Sequence, residues 1–519
     1  MGVAAPAPVL VLDVAARTPK GPPAAPAVVG MSMEWSGATV LLRSPGFVQM
    51  LSNLADADSS GAGPPLRIGG NSADTTWWDP NGTKPFDTSC AASYSGQVCV
   101  KYAVGPSDID LHGAAAASVN SSVVYDVSMM QNATAAWAVE EVRGIVAAAT
   151  AAVKSDRIEA FEVGNEPDLF LENGIRSPEY RPEDWVKEQL GIYLPAIGRE
   201  LHRSGLGAAG RDGAPAKWLQ AGTFCCKKLF YAALPERMRA LRASGALKSW
   251  SQHAYGLSQP KGGPGPPLAE LLGEGAMASR IGEFVAPVAR AAAETRVLFV
   301  VGETNSINMG GERGVSDTAA SALWASDWIA RLVALGAQRI NFHGSQNAPY
   351  SWINGWRDGT TGKEPVVTPL YYAMLVMART LRGGAVPVGV TNRSRVTNAS
   401  SAVVSHAWVL QDGSVRVAIV HKAVNDTKPT HVTVYVDGPT ADAAGTLGAG
   451  AVTWLRAPSP AATSGLTWGS PDGNVTFDAT PDGRAVGTFT PQQVARGTDG
   501  SYSFEVPPGS VAVLEISQK

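Results

Sequence analysis

The chain has 519 residues, 45% hydrophobic and only 17% charged, enough apolar material for more than one core, because a single core rarely grows beyond about 250 to 300 residues. Its 42 Lys and Arg nearly balance 45 Asp and Glu, for a formal charge of −3. That balance gives no sign of the basic stripe of a nucleic-acid binder and disfavours a strongly anionic polymer as substrate, while the composition is not that of a disordered chain.

In chain order, the opening "MGVAAPAPVLVLDV" has neither a basic start nor a long apolar core, so it does not read as a secretory leader. "PVLVLDVAA" within it reads as a strand. Strand-like runs follow at 29 to 35, 66 to 70, 122 to 130, 157 to 164, 218 to 224, 247 to 255, 296 to 303 and 339 to 344. Ala- and Leu-rich helical runs lie between them, at 134 to 153, 183 to 204, 231 to 243, 278 to 294 and 317 to 336 among others. Eight strands alternating with helices predict an α/β chain built on a (β/α)8 TIM barrel; a doubly wound open sheet is the competing architecture. After the helical "PLYYAMLVMARTL" the pattern changes. "SAVVSHAWVL", "VRVAIVHKA", "THVTVYVDG", "GTFT", "YSFEVPPGS" and "VAVLEISQ", punctuated by Asp-Gly and Pro-Gly turns, predict a C-terminal β-sandwich that takes in the N-terminal strand. The expected domains are 1–27, the strand and linker joining the sandwich; 28–380, the catalytic barrel; and 381–519, the sandwich.

No apolar run reaches the about 18 residues of a membrane span. Seven Asn-x-Ser/Thr sites, Asn81, Asn120, Asn132, Asn392, Asn398, Asn425 and Asn474, are N-glycosylation candidates. Cys90 and Cys99 flank a short loop and are the expected disulfide; adjacent Cys225 and Cys226 read equally as a vicinal bond or as buried thiols. An extracellular protein is the expectation, with its leader already removed.

The chemistry concentrates at strand ends, where a (β/α)8 barrel builds its site. "RIEAFEVGNEP" ends an apolar run on Asn165 and Glu166, and "RVLFVVGE" ends another on Glu303. Carboxylates at the fourth and seventh strand ends face one another across the barrel mouth. Such a pair suits glycoside hydrolysis, one acid protonating the leaving oxygen and the other attacking carbon or activating water. A single strand-end glutamate more often caps a helix or pairs with arginine; two at these positions make that reading weaker. His253 and Tyr255, two apart on the sixth strand, share a face. No set of ligands spaced for a metal and no dinucleotide fingerprint occurs, so neither a metal nor an organic cofactor is expected.

Taken together and in order, "LRIGGNSADTTWW", "FEVGNEPDLF", "SQHAY", "VGETNSINMGG" and "INFHG" resemble glycoside hydrolase family 79, which holds β-glucuronidases and heparanases, within the clan of retaining barrel hydrolases. The resemblance implies Glu166 as general acid/base, Glu303 as nucleophile and Asn165 as donor to the sugar 2-hydroxyl. It also implies Tyr255 as a donor to Glu303, with His253 as an organiser. Glu34, Asn71 and Asp74 at the first two strand ends, and His343 near the end of the eighth with Gln346 after it, are sugar-contact candidates. Trp77, Trp78, Trp352 and Trp356 are candidates to stack on sugar or to fasten loops. The family grips a uronate carboxylate with tyrosines and backbone amides; here Tyr350 and Gly310 occupy that region, and Asn308 stands where another tyrosine is expected.

The expectation is therefore a retaining exo-β-glucuronidase acting on a carbohydrate substrate, β-glucuronides or terminal glucuronic acid that includes 4-O-methylated forms. No nucleic-acid or membrane partner is expected, and a monomer is compatible with the chemistry. The alternatives are a heparanase-like endo-β-glucuronidase, a β-glucosidase or disaccharide-releasing glycosidase, and a non-catalytic carbohydrate-binding protein.

Overall fold

A computed structural model describes the chain apart from residues 1–7, 84–99, 132, 153, 207–216, 261, 346–347, 355–365, 395–401, 427, 438–446, 471–474, 479 and 481. Eight strands, Val29–Glu34, Leu66–Gly69, Val123–Val127, Ile158–Val163, Leu219–Phe224, Leu247–Leu257, Leu298–Ile307 and Arg339–Gly344, pair in parallel and close in chain order into a barrel. They are called first to eighth below. A parallel strand needs a crossover to reach its neighbour. The helices that supply it cover the barrel's outer face, which is why these strands read as continuous apolar runs rather than alternating ones.

Two strands run further than the sequence suggests. The sixth continues to Leu257 and the seventh to Ile307, still partnered at Asn305↔Tyr255 and Ile307↔Leu257. Glu303 therefore lies within the seventh strand rather than at its end, directly after a register shift between Val301 and Glu303. Such a bulge re-aims the side chain that follows it. The fourth and fifth strands are the weak seam: their ladder has one partnered position, Phe161↔Leu219.

The helices expected at 183 to 204 and 278 to 294 each carry a wider turn, Gln189–Tyr193 and Ile281–Val285. Pro195 and Pro287 follow these turns and lack the N–H that would continue regular i→i−4 bonding. The helix expected from 231 starts at Leu234 instead, with Pro235 in its first turn.

Beyond the barrel, a ten-stranded curled sheet forms the sandwich-like second layer. Val9–Pro19 joins it between Val386–Asn392, antiparallel, and Thr430–Val436, parallel, so both ends of the chain share one sheet. "GTFT" is not a strand. Val486 makes an isolated bridge to Thr476, and Gly487, at φ 110°, turns the backbone out of register with any ladder. Val386–Asn392 and Leu447–Arg456 are strands absent from the sequence reading.

Strand Val415–His421 shows how the layers join. Val415, Val417 and Ile419 enter the sheet's own core, while Ala418 and Val420 face the barrel's helices, as period-two alternation requires. Helices Ala319–Ala334 and Pro369–Leu381 lie between the layers and are buried almost all round, as helices without a polar face must be. Among the described residues no helix is long and apolar enough to cross a membrane.

Candidate active site

The fourth strand delivers Glu166 on a tight turn. Its backbone is left-handed at φ 51°, ψ 58°, with Pro167 next. Proline disfavours right-handed helical geometry in the residue before it, and a non-glycine residue here costs on the order of 1–3 kcal/mol, so the surrounding contacts must hold the turn. Glu303 arrives on the seventh strand. The two acids and His253 each place a ligand atom within 4.8 Å of the others. Glu166 and Glu303 are 9% and 6% exposed, enough to meet a ligand and little enough to be desolvated.

Their settings differ. Glu303 Oε1 accepts from the Tyr255 hydroxyl at 2.6 Å and Oε2 from Arg67 at 2.7 Å; His343 Nδ1 and His253 Nδ1 lie 3.6 and 3.9 Å from Oε2. Burial alone would raise the pKa of Glu303, but His343, His253, Arg67 and the Tyr255 hydroxyl outweigh it and hold this carboxyl well below the usual range. Among the described residues, the Glu166 carboxyl has one polar partner, His253 Nδ1 at 3.0 Å from Oε1. Burial, reinforced by the charges of Glu303 and Asp168, pushes Glu166 up against that histidine's opposing pull. One acid is thus poised ionised and its neighbour poised to carry a proton, a division that desolvation and nearby charge produce together.

Arg67 organises this centre, and the sequence reading passed over it. Fully buried, it donates to Glu303, to Glu162 (2.6 Å), to Asp126 (3.2 Å), to Ser32 Oγ (3.3 Å) and to Asn165 Oδ1 (2.9 Å). Three acids around one guanidinium cannot all stay charged in a dry interior. Asp126 resolves the excess: burial and the Glu162 charge raise its pKa well above normal. The Arg67 donation also fixes the Asn165 amide, leaving Nδ2 on the Asn71 side, where it donates to Asn71 Oδ1 at 3.2 Å. The available signal was an arginine inside the otherwise apolar "LRIGG", matched by the inward Glu162 of "FEVG".

On the first-strand side, Glu34 accepts from the Asn71 and Ser72 amides (3.1 and 2.8 Å) and the Ser72 hydroxyl (2.5 Å), with His343 Nε2 3.4 Å away. Burial opposes ionisation of Glu34, but His343 and Ser72 outweigh it and lower its pKa. His343 is raised in turn: burial disfavours its charge, and Glu303 and Glu34 overcome that. Tyr350 stacks on Tyr255, with ring centroids 6.3 Å apart. Asparagine 305, unremarked in sequence, anchors this corner by donating to the His343 and Tyr350 carbonyls at 2.7 and 2.8 Å.

Other candidates fall elsewhere. Asp74 is buried beneath the site, where its oxygens accept from the Met129 and Asn165 amides; burial raises it to about 6. It supports Asn165 instead of facing the cleft. Asn308 turns its Oδ1 back onto the Gln259 amide at 2.7 Å, and the Gly310 carbonyl accepts from Tyr350 N–H. Trp352 is fully buried with its indole N–H on the Phe342 carbonyl, and Trp78 is buried against the scaffold, so neither stacks on sugar; Trp77 is half-buried against Trp137. Gln346, Trp356, Cys90, Cys99, Asn132, Asn398 and Asn474 lie outside the described residues. Asn81, Asn120, Asn392 and Asn425 are exposed. The sulfurs of Cys225 and Cys226 sit at disulfide distance.

Glu166, His253 and Glu303 form a donor set of the size that holds a cation. Both Glu303 oxygens already accept hydrogen bonds, one from a guanidinium whose charge opposes a metal ion, and this favours a carboxylate kept for an electrophilic carbon.

No protein-family model matches the chain. A β-glucuronidase of Aspergillus niger is 25% identical over 494 residues, covering 90% of this chain and 86% of the relative. One of Neurospora crassa is 23% identical over 335 residues, 62% of this chain and 56% of the relative. Among solved structures, a 4-O-α-L-rhamnosyl-β-D-glucuronidase from Fusarium oxysporum 12S superimposes with TM-score 0.72 at 19% identity, covering 97% of this chain and all of that one. A family 51 arabinofuranosidase from Xanthomonas axonopodis pv. citri gives 0.64 at 16%, covering 98% of this chain and all of that one. The chain is a distant sequence relative of β-glucuronidases with the fold of the (β/α)8-barrel glycoside hydrolases, and it carries a candidate catalytic pair of glutamates.

Proposed function

We propose that the protein is a retaining exo-β-glucuronidase that releases glucuronic acid, including 4-O-methylated forms, from β-glucuronides. The observation that carries this reading is the placement of Glu166 and Glu303, with carboxylate oxygens within 4.8 Å and pKa values driven in opposite directions. Retaining pairs lie at about 5–5.5 Å, whereas inverting pairs need about 6.5–9.5 Å to admit a water. The glucuronide assignment is supported by the two β-glucuronidase relatives.

In this mechanism Glu303 attacks the anomeric carbon as the bond to the aglycone oxygen breaks. Glu166 gives that oxygen its proton, leaving a glycosyl ester on Glu303 and a free aglycone. Glu166, now a carboxylate, takes a proton from water as the water's oxygen attacks the anomeric carbon and the ester bond to Glu303 breaks, which restores the Glu303 carboxylate and the protonated Glu166. Asn165, its carbonyl pinned by Arg67, offers Nδ2 to the sugar 2-hydroxyl. The His343 imidazole, raised by Glu303 and Glu34, puts positive character beside the Glu303 carboxylate.

A second reading, release of a 4-O-substituted glucuronate as a disaccharide, is favoured by Asn308. Its side chain folds onto Gln259, so no hydroxyl grips the glycone from that position.

Rates on aryl β-glucuronide, β-glucoside and β-xyloside test the proposal, repeated with Glu166→Gln and Glu303→Gln. The glucuronide is expected to lead. Glu303→Gln should lose about 10⁴-fold or more, and Glu166→Gln about 10²–10⁴-fold. A leading glucoside, or either variant retaining full rate, contradicts the proposal.

A further inference from the structure

Glu166 sits on a left-handed turn beside the sparsest ladder in the barrel, and the fifth-strand side of that turn is held by side chains. The fourth and fifth strands share one partnered position, Phe161↔Leu219, near the start of the fifth. Toward the barrel mouth, side chains take over from the ladder. Thr223, at the end of the fifth strand, donates its hydroxyl to the Gly164 carbonyl at 2.9 Å. Asp168, 4% exposed, accepts from the backbone amides of Cys225 (3.1 Å), Cys226 (2.8 Å) and Lys227 (2.9 Å), which follow that strand. Gly164 and Asp168 bracket Asn165 and Glu166. The fifth strand thus grips the acid/base turn on both sides. The three amides must converge on one carboxylate, and the Cys225–Cys226 pairing restricts the backbone that carries two of them.

We propose that Asp168 is a positioning residue for the general acid/base: through the amides of the Cys225–Cys226–Lys227 turn it fixes where Glu166 delivers its proton to the leaving group. The inference rests on Glu166 being the acid/base. Asp168 touches no reacting atom in this scheme; it acts through the backbone of the turn and through its charge. Glu166 is faced by His253 from the sixth strand, Glu303 from the seventh and Asp168 from its own turn. Asp168 is itself near His253 and Tyr231. Its negative charge helps keep the proton on Glu166.

A misplaced acid has a kinetic signature that general damage lacks. A poor leaving group needs the proton and a good one does not, and a displacement of about 1 Å is enough for about 10²-fold. The test compares kcat/KM of the full chain for a dinitrophenyl and an alkyl β-glucuronide across pH. With Asp168→Asn, the alkyl substrate should lose about 30- to 100-fold and the dinitrophenyl substrate under about 3-fold. The alkaline limb should also move to lower pH, because Glu166 loses a neighbouring negative charge. Equal losses on both substrates, or no loss, with an unmoved limb overturn the inference. Should that variant not fold, Cys225→Ser/Cys226→Ser makes the same comparison, with about a tenfold gap between substrates expected and none overturning it. Glu166→Gln separates this inference from the reading beneath it. If Glu166→Gln shows no leaving-group dependence, the acid/base assignment itself is wrong; if it does and Asp168→Asn does not, only the clamp fails.

Discussion

At the scale of single residues, the site works by giving two glutamates unlike surroundings. Glu303 collects donors and positive charge, whereas Glu166 has one imidazole and a desolvated turn. The Tyr255 hydroxyl is the most separable of these contributions, since it meets Glu303 Oε1 without belonging to the Arg67 network. A hydrogen bond to a charged group is worth about 1.5–3 kcal/mol, and this one favours the ionised form. Tyr255→Phe should therefore raise the pKa of Glu303, move the acidic limb of the kcat/KM profile to higher pH and cost about tenfold or more at the optimum. A profile whose acidic limb stays in place would show that Tyr255 only packs. How far the sequence discloses such residues depends on how locally their role is encoded. Glu166 and Glu303 follow apolar runs and stand out, while Arg67 and Asp168 act on partners strands away. Nothing in "LRIGG" or "NEPDL" names Glu303 or the Cys225 amide.

At the scale of elements, the eight barrel strands were readable because burial on both faces makes each a short apolar run bounded by turn residues. Their ends were not. The sixth and seventh extend through "GL" and "TNSI", where Gly256, Thr304, Asn305 and Ser306 break the apolar run and the neighbouring ladder keeps the chain extended to Leu257 and Ile307. Leu447–Arg456 escaped because "LGAGAV" lacks the bulky alternation that marks a strand, and "GTFT" misled because alternation alone cannot supply a partner. The junction of helix Ala319–Ala334 with the curled sheet was equally hidden. There Asp327, buried completely, accepts from His406 Nε2 (2.7 Å), Lys422 Nζ (2.8 Å) and Arg331 Nε (2.7 Å). Burial opposes its charge, but these partners hold its carboxyl far below the ordinary range. A depressed folded-state pKa contributes stability above the unfolded pKa of about 3.9 and loses it as pH falls further. Urea unfolding should accordingly show stability dropping below about pH 4. Asp327→Ala, which strands Lys422 without its buried partner, should cost about 3–5 kcal/mol and flatten that acid dependence. An Asp327→Ala protein as stable as the parent would remove the junction from the account.

At the scale of the whole molecule, the two layers are built from one chain whose first and last strands lie in one sheet. The strand Val9–Pro19 fills a slot between Val386–Asn392 and Thr430–Val436, and Leu12, wholly buried, enters the sheet's core. Leu12→Ala should cost about 2–5 kcal/mol in thermal unfolding while leaving kcat near the parent value below the transition, because that core is separate from the one around the barrel. A fall in kcat with unchanged stability would tie the sheet to catalysis directly. The barrel itself brings distant segments to one mouth, and the chemistry rests on that convergence. Its most direct test is covalent trapping with a 2-deoxy-2-fluoro β-glucuronosyl fluoride, followed by intact mass and peptide mapping. The account predicts one added glycosyl residue on Glu303; an unlabelled protein, or a label on any other residue, would contradict it.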